Sequence, residues 1–588
     1  MGTQLTSAFN ISEEHVAAGG PNNIWKIHKA SKKSNNSEIS LFILDKGKLD
    51  KELSTEKEEI YSLLKKEVKS LSKLRHPSIL HIMEPLEEDA KLMCFGTEPI
   101  EGSLKYLIDT PSKRSLILSE LEIKTQILEL INAVVFLHNN AHLLHLSITP
   151  ENIYLTTEGK FKLGGFYFAK EFDNIKGSVI PNIEAELGSL LAPSLPFVAP
   201  EIVKDNTASS NSDAFSIGSL IYSLLQISRN GKSGYFFDIR DNCSKRAYLE
   251  QAERMTAGRI QAKLASYSKD TITLLQQLLA FNPNERISLQ EAKNHKWFND
   301  PKIKTLEYLD HLYEKEDQHK IQFLNGLGNV LNEFDAKVLV RRVLPKLAAC
   351  LVMDKLSAHV LPSIAMILKT ENACSKTQFY DIVWPYLKKL CKGKEITAQT
   401  LYLIIVDTET WIKYVNVQDF QATLLLLYQR SIDCGIVKIQ EKAVGIIPTF
   451  AKKVEYATLK NTLLPKIIKL ATNTVERKLR IKCIESLASF STVLDTTTIK
   501  EAILPLLDKL TKSDTNGKLH LTIIRTIESF IKIFTYEELA NRVIPLLLSM
   551  SVIGQFSKQQ FSDVMNLIRK LIDKIDSSRS KVSSHPYL

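Results

Sequence analysis

Apolar residues recur with a period of forty in the second half of the chain. One slot of the repeat holds Pro345, Pro385, Leu425, Pro465, Pro505 and Pro545, and an apolar residue precedes it in every copy. In the first copy the apolar stripe consists of Val340, Leu344, Leu347 and Leu351. This spacing predicts a helix with one buried side, in which the proline lies early in the helix or kinks it.

A period near forty with paired helices is typical of HEAT and armadillo repeats, which bury their apolar faces only against neighbouring repeats. We therefore expect an all-α HEAT/armadillo-type solenoid over residues 320–575 and a short polar tail over residues 576–588. Residues 300–319 are predicted to be a linker. The first half of the chain has a different pattern, so the fold class is multidomain α+β.

The first half carries the landmarks of a protein kinase. A capping box at Ser119–Glu122 predicts a helix that leads to His145-Leu-Ser-Ile-Thr-Pro-Glu-Asn152, which resembles the kinase catalytic loop H-R-D-L-x-P-x-N. Further matches follow in the kinase order: Gly164-Gly165-Phe166, Ala199-Pro200-Glu201, Asp213–Gly218 and Arg286. These matches predict a bilobal kinase-like domain over residues 10–299, with a structural ion pair between Glu201 and Arg286.

The residues that perform kinase chemistry are replaced. A working kinase needs a strand lysine for the phosphates, an aspartate for magnesium and an aspartate that orients the acceptor hydroxyl. Phe42, Gly165 and Ser147 stand at these three positions. Glu67 fits the helix glutamate that normally pairs with the lysine, and Asn152 is the one metal ligand that remains. We expect no catalytic residues, no metal site and no required cofactor.

ATP binding is a separate question, because part of the glycine-rich loop survives. Pro21 lacks an amide proton that could bind phosphate. The candidate vestigial ATP site consists of Gly19, Gly20, Lys26, Glu67 and Asn152.

An alternative hypothesis is a weak, atypical Ser/Thr kinase in which Lys26 or Lys29 replaces the missing strand lysine. The simpler interpretation is that both lysines are solvated residues at a strand edge.

Composition narrows the function classes. The 588 residues are 44% hydrophobic and 24% charged, with a net charge of +10, which favours attraction to anionic membranes or acidic partners. No motif of a nucleic-acid-binding module occurs. The seven cysteines form no C-x-x-C pair, so a reducing cytoplasmic setting is expected.

The apolar runs are too short to span a bilayer, so membrane association would be peripheral. Residues 1–6 match the N-myristoylation pattern at Gly2.

The chain resembles the Scy-like pseudokinases, and among them the clathrin-linked branch. The resemblance lies in Gly164-Gly165-Phe166, in Gly20–Ile27 and in Phe323–Leu327, and it covers nearly the whole chain. It implies a non-catalytic adaptor in clathrin-dependent traffic between the trans-Golgi network, endosomes and plasma membrane. The implied partners are clathrin coat and adaptor proteins, and the implied location is cytoplasmic, peripheral on Golgi and endosomal vesicles.

Two features depart from the family pattern. Members of this type carry a long C-terminal tail with clathrin- and adaptor-binding motifs, whereas this sequence stops at Leu588. The segment Leu506-Leu-Asp-Lys-Leu510 superficially resembles a clathrin box, but its position in the repeat predicts a buried helix. Residues 581–588 contain no dibasic coat-binding signal, which argues against the Golgi-to-ER branch of the family.

Overall fold

A computed structural model describes residues 7–582 except 14, 21–22, 48–56, 111–117, 173–177, 180–193, 231–233, 238–244, 394–395 and 554. The chain forms two compact units. The first contains residues 1–314 together with Arg341–Val343, and the second contains Lys315–Val340 and Leu344–Leu588.

The N-terminal lobe of the first unit is an antiparallel sheet with one helix packed on it. The strand order is β1-β3-β4-β6-β5, with β2 paired to β3. Apolar side chains alternate along β3, so that one face of this strand enters the core and the other meets solvent. The elements are β1 Phe9–Ile11, β2 Ala17–Gly19, β3 Trp25–Lys32, β4 Glu38–Asp45, helix α1 Lys57–Lys73, β5 Ile82–Glu88 and β6 Leu92–Thr97.

The C-terminal lobe is mainly helical. Its central helix begins at the predicted capping box, in which Ser119 and Glu122 each accept a hydrogen bond from the other's backbone N–H. The elements are β7 Ile100–Ser103, α2 Leu104–Asp109, α3 Glu120–Asn139, β8 Leu143–Leu144, β9 Ile153–Thr156, β10 Phe161–Leu163, β11 Lys170–Glu171, β12 Ser178–Val179, α4 Pro200–Asp205, β13 Thr207–Ala208, α5 Ser210–Asn230, α6 Lys245–Arg254, α7 Ala257–Lys263, α8 Lys269–Leu278, α9 Leu289–Ala292 and α10 Pro301–Asp310.

The segment predicted as a linker is helical. Helix α10 occupies half of residues 300–319, with Asp300 as its N-cap and proline as its first residue. Ile303, Leu306 and Leu309 have helical spacing and are buried. These three side chains explain why the helix belongs to the first unit, and the expectation of a linker was wrong for this stretch.

The second unit is an α-solenoid of helix pairs, as the forty-residue period predicts. The second helices of successive repeats pack on one another in the order α11, α14, α17, α21, α25 and α28. The helices are α11 Asp317–Leu331, α12 Ala336–Val338, α13 Leu344–Cys350, α14 Ser357–Lys369, α15 Lys376–Ile382, α16 Trp384–Lys392, α17 Ala398–Val406, α18 Thr408–Tyr414, α19 Val417–Asp419, α20 Leu425–Asp433, α21 Val437–Gly445, α22 Ile447–Phe450, α23 Tyr456–Thr458, α24 Leu464–Asn473, α25 Arg477–Ala488, α26 Thr496–Thr498, α27 Leu504–Ser513, α28 Gly517–Phe530, α29 Tyr536–Glu538, α30 Ile544–Ile553 and α31 Lys558–Val582.

Most of the repeated prolines follow a π-helical turn, and Pro385 is the exception. Pro465, Pro505 and Pro545 are each the second residue of an α-helix that continues directly from a π segment. The wider π turn gives the proline ring room beside the preceding turn of helix. The copy with Leu425 in the proline slot has the same π turn, so proline is accommodated by this turn and does not create it. The π segments are Leu339–Val343, Phe420–Leu424, Leu459–Leu463, Ile499–Ile503 and Leu539–Val543.

Two predictions about the C-terminal part have different outcomes. Leu506, Leu507 and Leu510 are buried in α27, which confirms that the clathrin-box-like segment belongs to the solenoid core. The polar tail expected from residue 576 is instead helical as far as Val582. Among the described residues, no helix combines the length and apolar character that crossing a bilayer requires.

Candidate functional site

The loop that resembles a kinase catalytic loop is anchored by a buried carboxylate. The backbone N–H groups of His145 and Leu146 donate to Asp213 at 2.9 and 2.8 Å, and His138 Nε2 lies 2.9 Å from the same carboxylate. Burial alone would raise the pKa of Asp213, but His138 and these donors hold that pKa below its ordinary value. Asp213 is therefore ionised, and its carboxylate fixes the loop.

His145 is a structural residue. Burial lowers the pKa of its imidazole to about 4, so the ring is neutral at pH 7. The Nε2 atom lies 2.9 Å from the carbonyl oxygen of Gly164, and the backbone N–H of Ser147 points to Nδ1 at 3.2 Å. These contacts assign the proton to Nε2, which donates to Gly164, while Nδ1 accepts.

Ser147 and Asn152 are bound to each other and to Tyr167. The Asn152 Nδ2 group donates to Ser147 Oγ at 2.8 Å and to the Tyr167 hydroxyl at 2.7 Å. The two hydroxyls, Ser147 Oγ and Tyr167 OH, are 2.9 Å apart. Burial raises the pKa of Tyr167 well above its ordinary value, so this phenol stays protonated. The hydroxyl of Ser147 is thus held inside a neutral network, and its hydrogen-bond partners among the described residues include no base.

Gly165, at the position of the metal-binding aspartate, has no room for a side chain. Its backbone is left-handed with φ of 76°, and a β-carbon built on it would lie 2.2–2.6 Å from side-chain atoms of Asn152. A carboxylate cannot occupy this place while Asn152 keeps its position. Within the described part of the chain, no cluster of three His, Cys, Asp or Glu side chains has the geometry for a metal ion.

Aromatic rings fill the region between the glycine-rich segment and the catalytic-loop strand. Phe42, at the position of the phosphate-binding lysine, stacks on Phe95 with ring centroids 4.6 Å apart and meets Tyr154 edge-on at 5.4 Å. Trp25 contacts Phe95 edge-on at 5.0 Å. All four rings are buried, and a β-carbon on Gly19 would lie 2.4 Å from the Tyr154 ring. The rings therefore pack directly against the backbone that cradles phosphate in kinases.

The backbone N–H of Gly20, which could otherwise bind phosphate, is used in a hydrogen bond within the protein. The Gly20 N–H donates to the carbonyl of Glu151 at 3.2 Å, immediately before Asn152 in the chain. Gly20 has φ of 72°, and a β-carbon there would lie 2.7 Å from the Trp25 ring. Pro21, whose missing amide the sequence singled out, lies outside the described residues.

Glu67 is buried without a cationic partner among the described residues. One carboxylate oxygen accepts the Gly165 N–H at 2.8 Å, and the other makes no hydrogen bond within the described part of the chain. Burial raises the pKa of Glu67 to about 7, against the opposing effects of the Gly165 N–H and the Trp25 indole.

The proposed substitute lysines do not reach this centre. Lys26 Nζ donates to the carbonyl of Asn23 at 3.2 Å on the exposed face of β3, because Trp25 and Ile27 take the buried face. The Lys29 side chain is 55% exposed and lies 3.6 Å from Glu101. The expectation that Lys26 belongs to the vestigial site is therefore wrong, whereas Gly19, Gly20, Glu67 and Asn152 do lie around one centre.

Sequence reasoning missed the three large side chains that fill the site. Tyr154 and Tyr167 each lie two residues after a kinase motif position, Asn152 and Gly165. Trp25 is the last residue of the segment that matches the glycine-rich loop. Their positions beside the motifs were visible in the sequence, but the direction of each ring was not.

The structural ion pair predicted for the kinase-like domain is present. Arg286 binds both carboxylate oxygens of Glu201 at 2.7 Å, and Ser212 Oγ donates to the same carboxylate at 2.6 Å. In such a bidentate pair the two charge-assisted hydrogen bonds are strong, and they fix the orientation of both side chains. The C-terminal lobe thus keeps the structural ion pair of kinases, although the side chains that perform kinase chemistry are replaced.

We predict that Gly165→Ala destabilises the first unit more than Gly159→Ala. Both glycines have positive φ, and an alanine there costs about 1–2 kcal/mol. A β-carbon at residue 159 meets nothing nearer than 3.4 Å, whereas at residue 165 it collides with Asn152. Overpacking adds about 1–3 kcal/mol for Gly165→Ala alone. Urea denaturation of both variants measures the difference, and equal losses would contradict the observed packing.

We also predict a pH-dependent effect of Glu67→Gln. With a folded pKa raised to about 7 from 4.5, Glu67 stays protonated in the folded state while the unfolded state ionises. The contribution of Glu67 to the free energy of unfolding of the wild type therefore falls between pH 4.5 and 7, by on the order of 3 kcal/mol. The glutamine does not titrate, so its stability relative to wild type should rise across this window in urea titrations.

Glu58→Gln provides the control for this effect, because Glu58 is exposed on the same helix. The change with pH should be larger for Glu67→Gln than for this control. An equal dependence on pH in the two variants would contradict the raised pKa of Glu67.

Comparisons with known proteins agree with this architecture. Residues 27–298 match the protein kinase domain family. The chain is 28% identical over 498 residues to SCY1-like protein 2 of Mus musculus, covering 82% of this chain and 52% of that protein. It is 22% identical over 466 residues to the probable inactive serine/threonine-protein kinase scy1 of Dictyostelium discoideum, covering 76% and 51%. The chain thus spans about half the length of these relatives.

One solved structure has the same fold over nearly the whole chain. The crystal structure of Cex1p superposes with a TM-score of 0.60 and 15% sequence identity, covering 97% of both chains. The chain therefore combines a protein kinase domain with a helical solenoid, and it has homologues over most of its length among the Scy1-like proteins.

Proposed function

We propose that this chain is a catalytically inactive, kinase-like scaffold of the Scy1-like family. The observation that carries the proposal is the position of Asn152, whose side chain fills the space that a carboxylate at residue 165 would need. Without that carboxylate the site lacks an anionic ligand for magnesium. Asn152 itself uses its amide group within the protein.

Several side chains that catalyse phosphoryl transfer in kinases are missing together at this site. Removing a general base alone slows a reaction by about 10²- to 10⁴-fold, which would still leave a slow enzyme. Here Ser147 replaces the base, Phe42 replaces the phosphate lysine, and Tyr154 packs against the glycine segment. Little selective stabilisation of a phosphoryl-transfer transition state remains. We propose that the protein requires neither ATP nor a metal ion.

The cellular role that we propose is that of an adaptor in clathrin-dependent traffic between the trans-Golgi network, endosomes and plasma membrane. The support is the similarity to SCY1-like protein 2 over most of this chain, together with the sequence resemblance to the clathrin-linked branch. The partners would be clathrin coat and adaptor proteins, and the chain would associate peripherally with Golgi and endosomal vesicles from the cytoplasm. Gly2, the candidate myristoylation residue, lies outside the described residues.

We predict that ATP with magnesium does not raise the melting temperature of the full chain. A ligand that binds the folded state must raise its apparent stability, so a thermal-shift titration detects binding directly. An active protein kinase measured in the same titration should show the shift. A saturable, magnesium-dependent rise for this chain would instead support the weak atypical kinase.

We further predict that the immobilised full chain retains purified clathrin or purified adaptor complexes. An unrelated solenoid protein of similar net charge serves as the control for attraction by charge alone. If neither coat component is retained above this control by folded protein, the trafficking role is wrong and the inactive-scaffold assignment still stands on its own test.

A further inference from the structure

Lysines recur at the same register in three consecutive repeats of the solenoid. Lys438, Lys478 and Lys518 are spaced by forty residues, and each is the second residue of its helix, α21, α25 and α28. We call these three residues the lysine row. Helix α21 packs on α25, and α25 packs on α28, so the three lysines lie on neighbouring helices at equivalent positions.

The lysine row is exposed and unpaired. In the part of the chain that the structure describes, none of the three side chains makes a hydrogen bond or an ion pair, and all three are exposed. Two lysines on the first helices of these repeats are instead paired. Lys460 lies 3.7 Å from Asp495 and Lys500 lies 2.8 Å from Glu538, both in the next repeat.

The position of the row is unfavourable for the isolated protein. The N-terminal end of a helix carries a partial positive charge, which disfavours a cation in the first turn. Acidic residues are the usual choice there. Three lysines at this position in successive repeats therefore cost stability, and an anionic partner would be attracted both by the ammonium groups and by the helix ends.

Two observations favour a protein segment over a membrane surface. Carboxylates interrupt the same face at Glu441 and Glu485, which weakens the summed field that an anionic bilayer senses. Exposed aliphatic side chains lie just before the first two lysines, with Val475 95% exposed and Ile436 44% exposed. Charged and apolar contacts side by side suit a peptide that carries both carboxylate and aliphatic side chains.

The spacing of the row sets the register of such a peptide. Packed helices lie about 8–10 Å apart. A chain in the polyproline II conformation advances about 3.1 Å per residue with three residues per turn, so every third side chain faces the same way. One lysine per helix therefore matches one carboxylate at about every third residue of the partner.

We propose that the lysine row binds an extended acidic segment of a partner protein, with carboxylates at about every third residue and aliphatic residues between them. This surface belongs to the second unit, and its binding does not depend on the inactivity of the kinase-like centre in the first unit. Lys558 continues the forty-residue register at the start of α31 and is also exposed, so the surface has a natural extension.

The test uses fluorescence polarisation with the full chain and a labelled peptide of about nine residues, which spans the three helices at about 3.1 Å per residue. The peptide carries glutamate at every third position, separated by valine and serine. A second peptide of the same composition has its glutamates in one block. Vesicles of phosphatidylcholine and phosphatidylserine test the membrane alternative.

The triple variant K438E/K478E/K518E should weaken binding of the spaced peptide by about tenfold or more, as expected for three exposed charge pairs. The control variant K389E/K469E/K509E makes the same charge change at exposed lysines on the first helices α16, α24 and α27, and should weaken binding less than about twofold. Replacing the lysine row with glutamine gives a milder variant, and thermal melts establish that each variant is folded.

Three results would overturn the proposal. The first is an equal loss of affinity in the two charge-reversal variants, which would indicate attraction by net charge alone. The second is equal affinity for the blocked and the spaced peptide. The third is binding to phosphatidylserine vesicles without binding to either peptide.

Discussion

The side chain of Asn152 packs against the backbone of Gly165, and the degenerate kinase centre depends on this contact. Asn152 turns inward because Ser147 and Tyr167 both accept its amide protons. An aspartate at residue 165 would displace Asn152, and an aspartate at residue 147 would bring a charge into a buried neutral network. The substitutions are therefore mutually dependent, and no single reversion restores a kinase residue without disturbing the other two.

The aromatic rings give the N-terminal lobe a ligand-independent core. Trp25, Phe42 and Tyr154 bury large apolar surfaces at a place where an active kinase keeps a cleft open for nucleotide. The hydrogen bond from Gly20 to Glu151 closes the same region through the backbone. The two lobes are thus held together by packing, which suits the proposed scaffold function.

Features carried by local spacing or by known kinase motifs were predictable, whereas contacts between distant residues outside such motifs were not. The pairing of Glu201 with Arg286 and the forty-residue repeat followed from ordered motifs. The occlusion by Tyr154 did not, because it depends on contact with Gly19 from a distant part of the chain. The outward direction of Lys26 was readable from its apolar neighbours at residues 25 and 27, and the helix at residues 301–310 was readable from its apolar spacing.

The solenoid shows how a strict repeat length determines a surface as well as a core. The π turn persists where Leu425 replaces proline, so the shared packing of the helices, and not the proline, maintains the repeat geometry. With no insertion between residues 438 and 518, the register that buries Ile439, Leu479 and Leu519 also exposes the residue before each of them. A change in repeat length would keep each helix amphipathic but would separate these exposed positions, so the surface depends on the period itself.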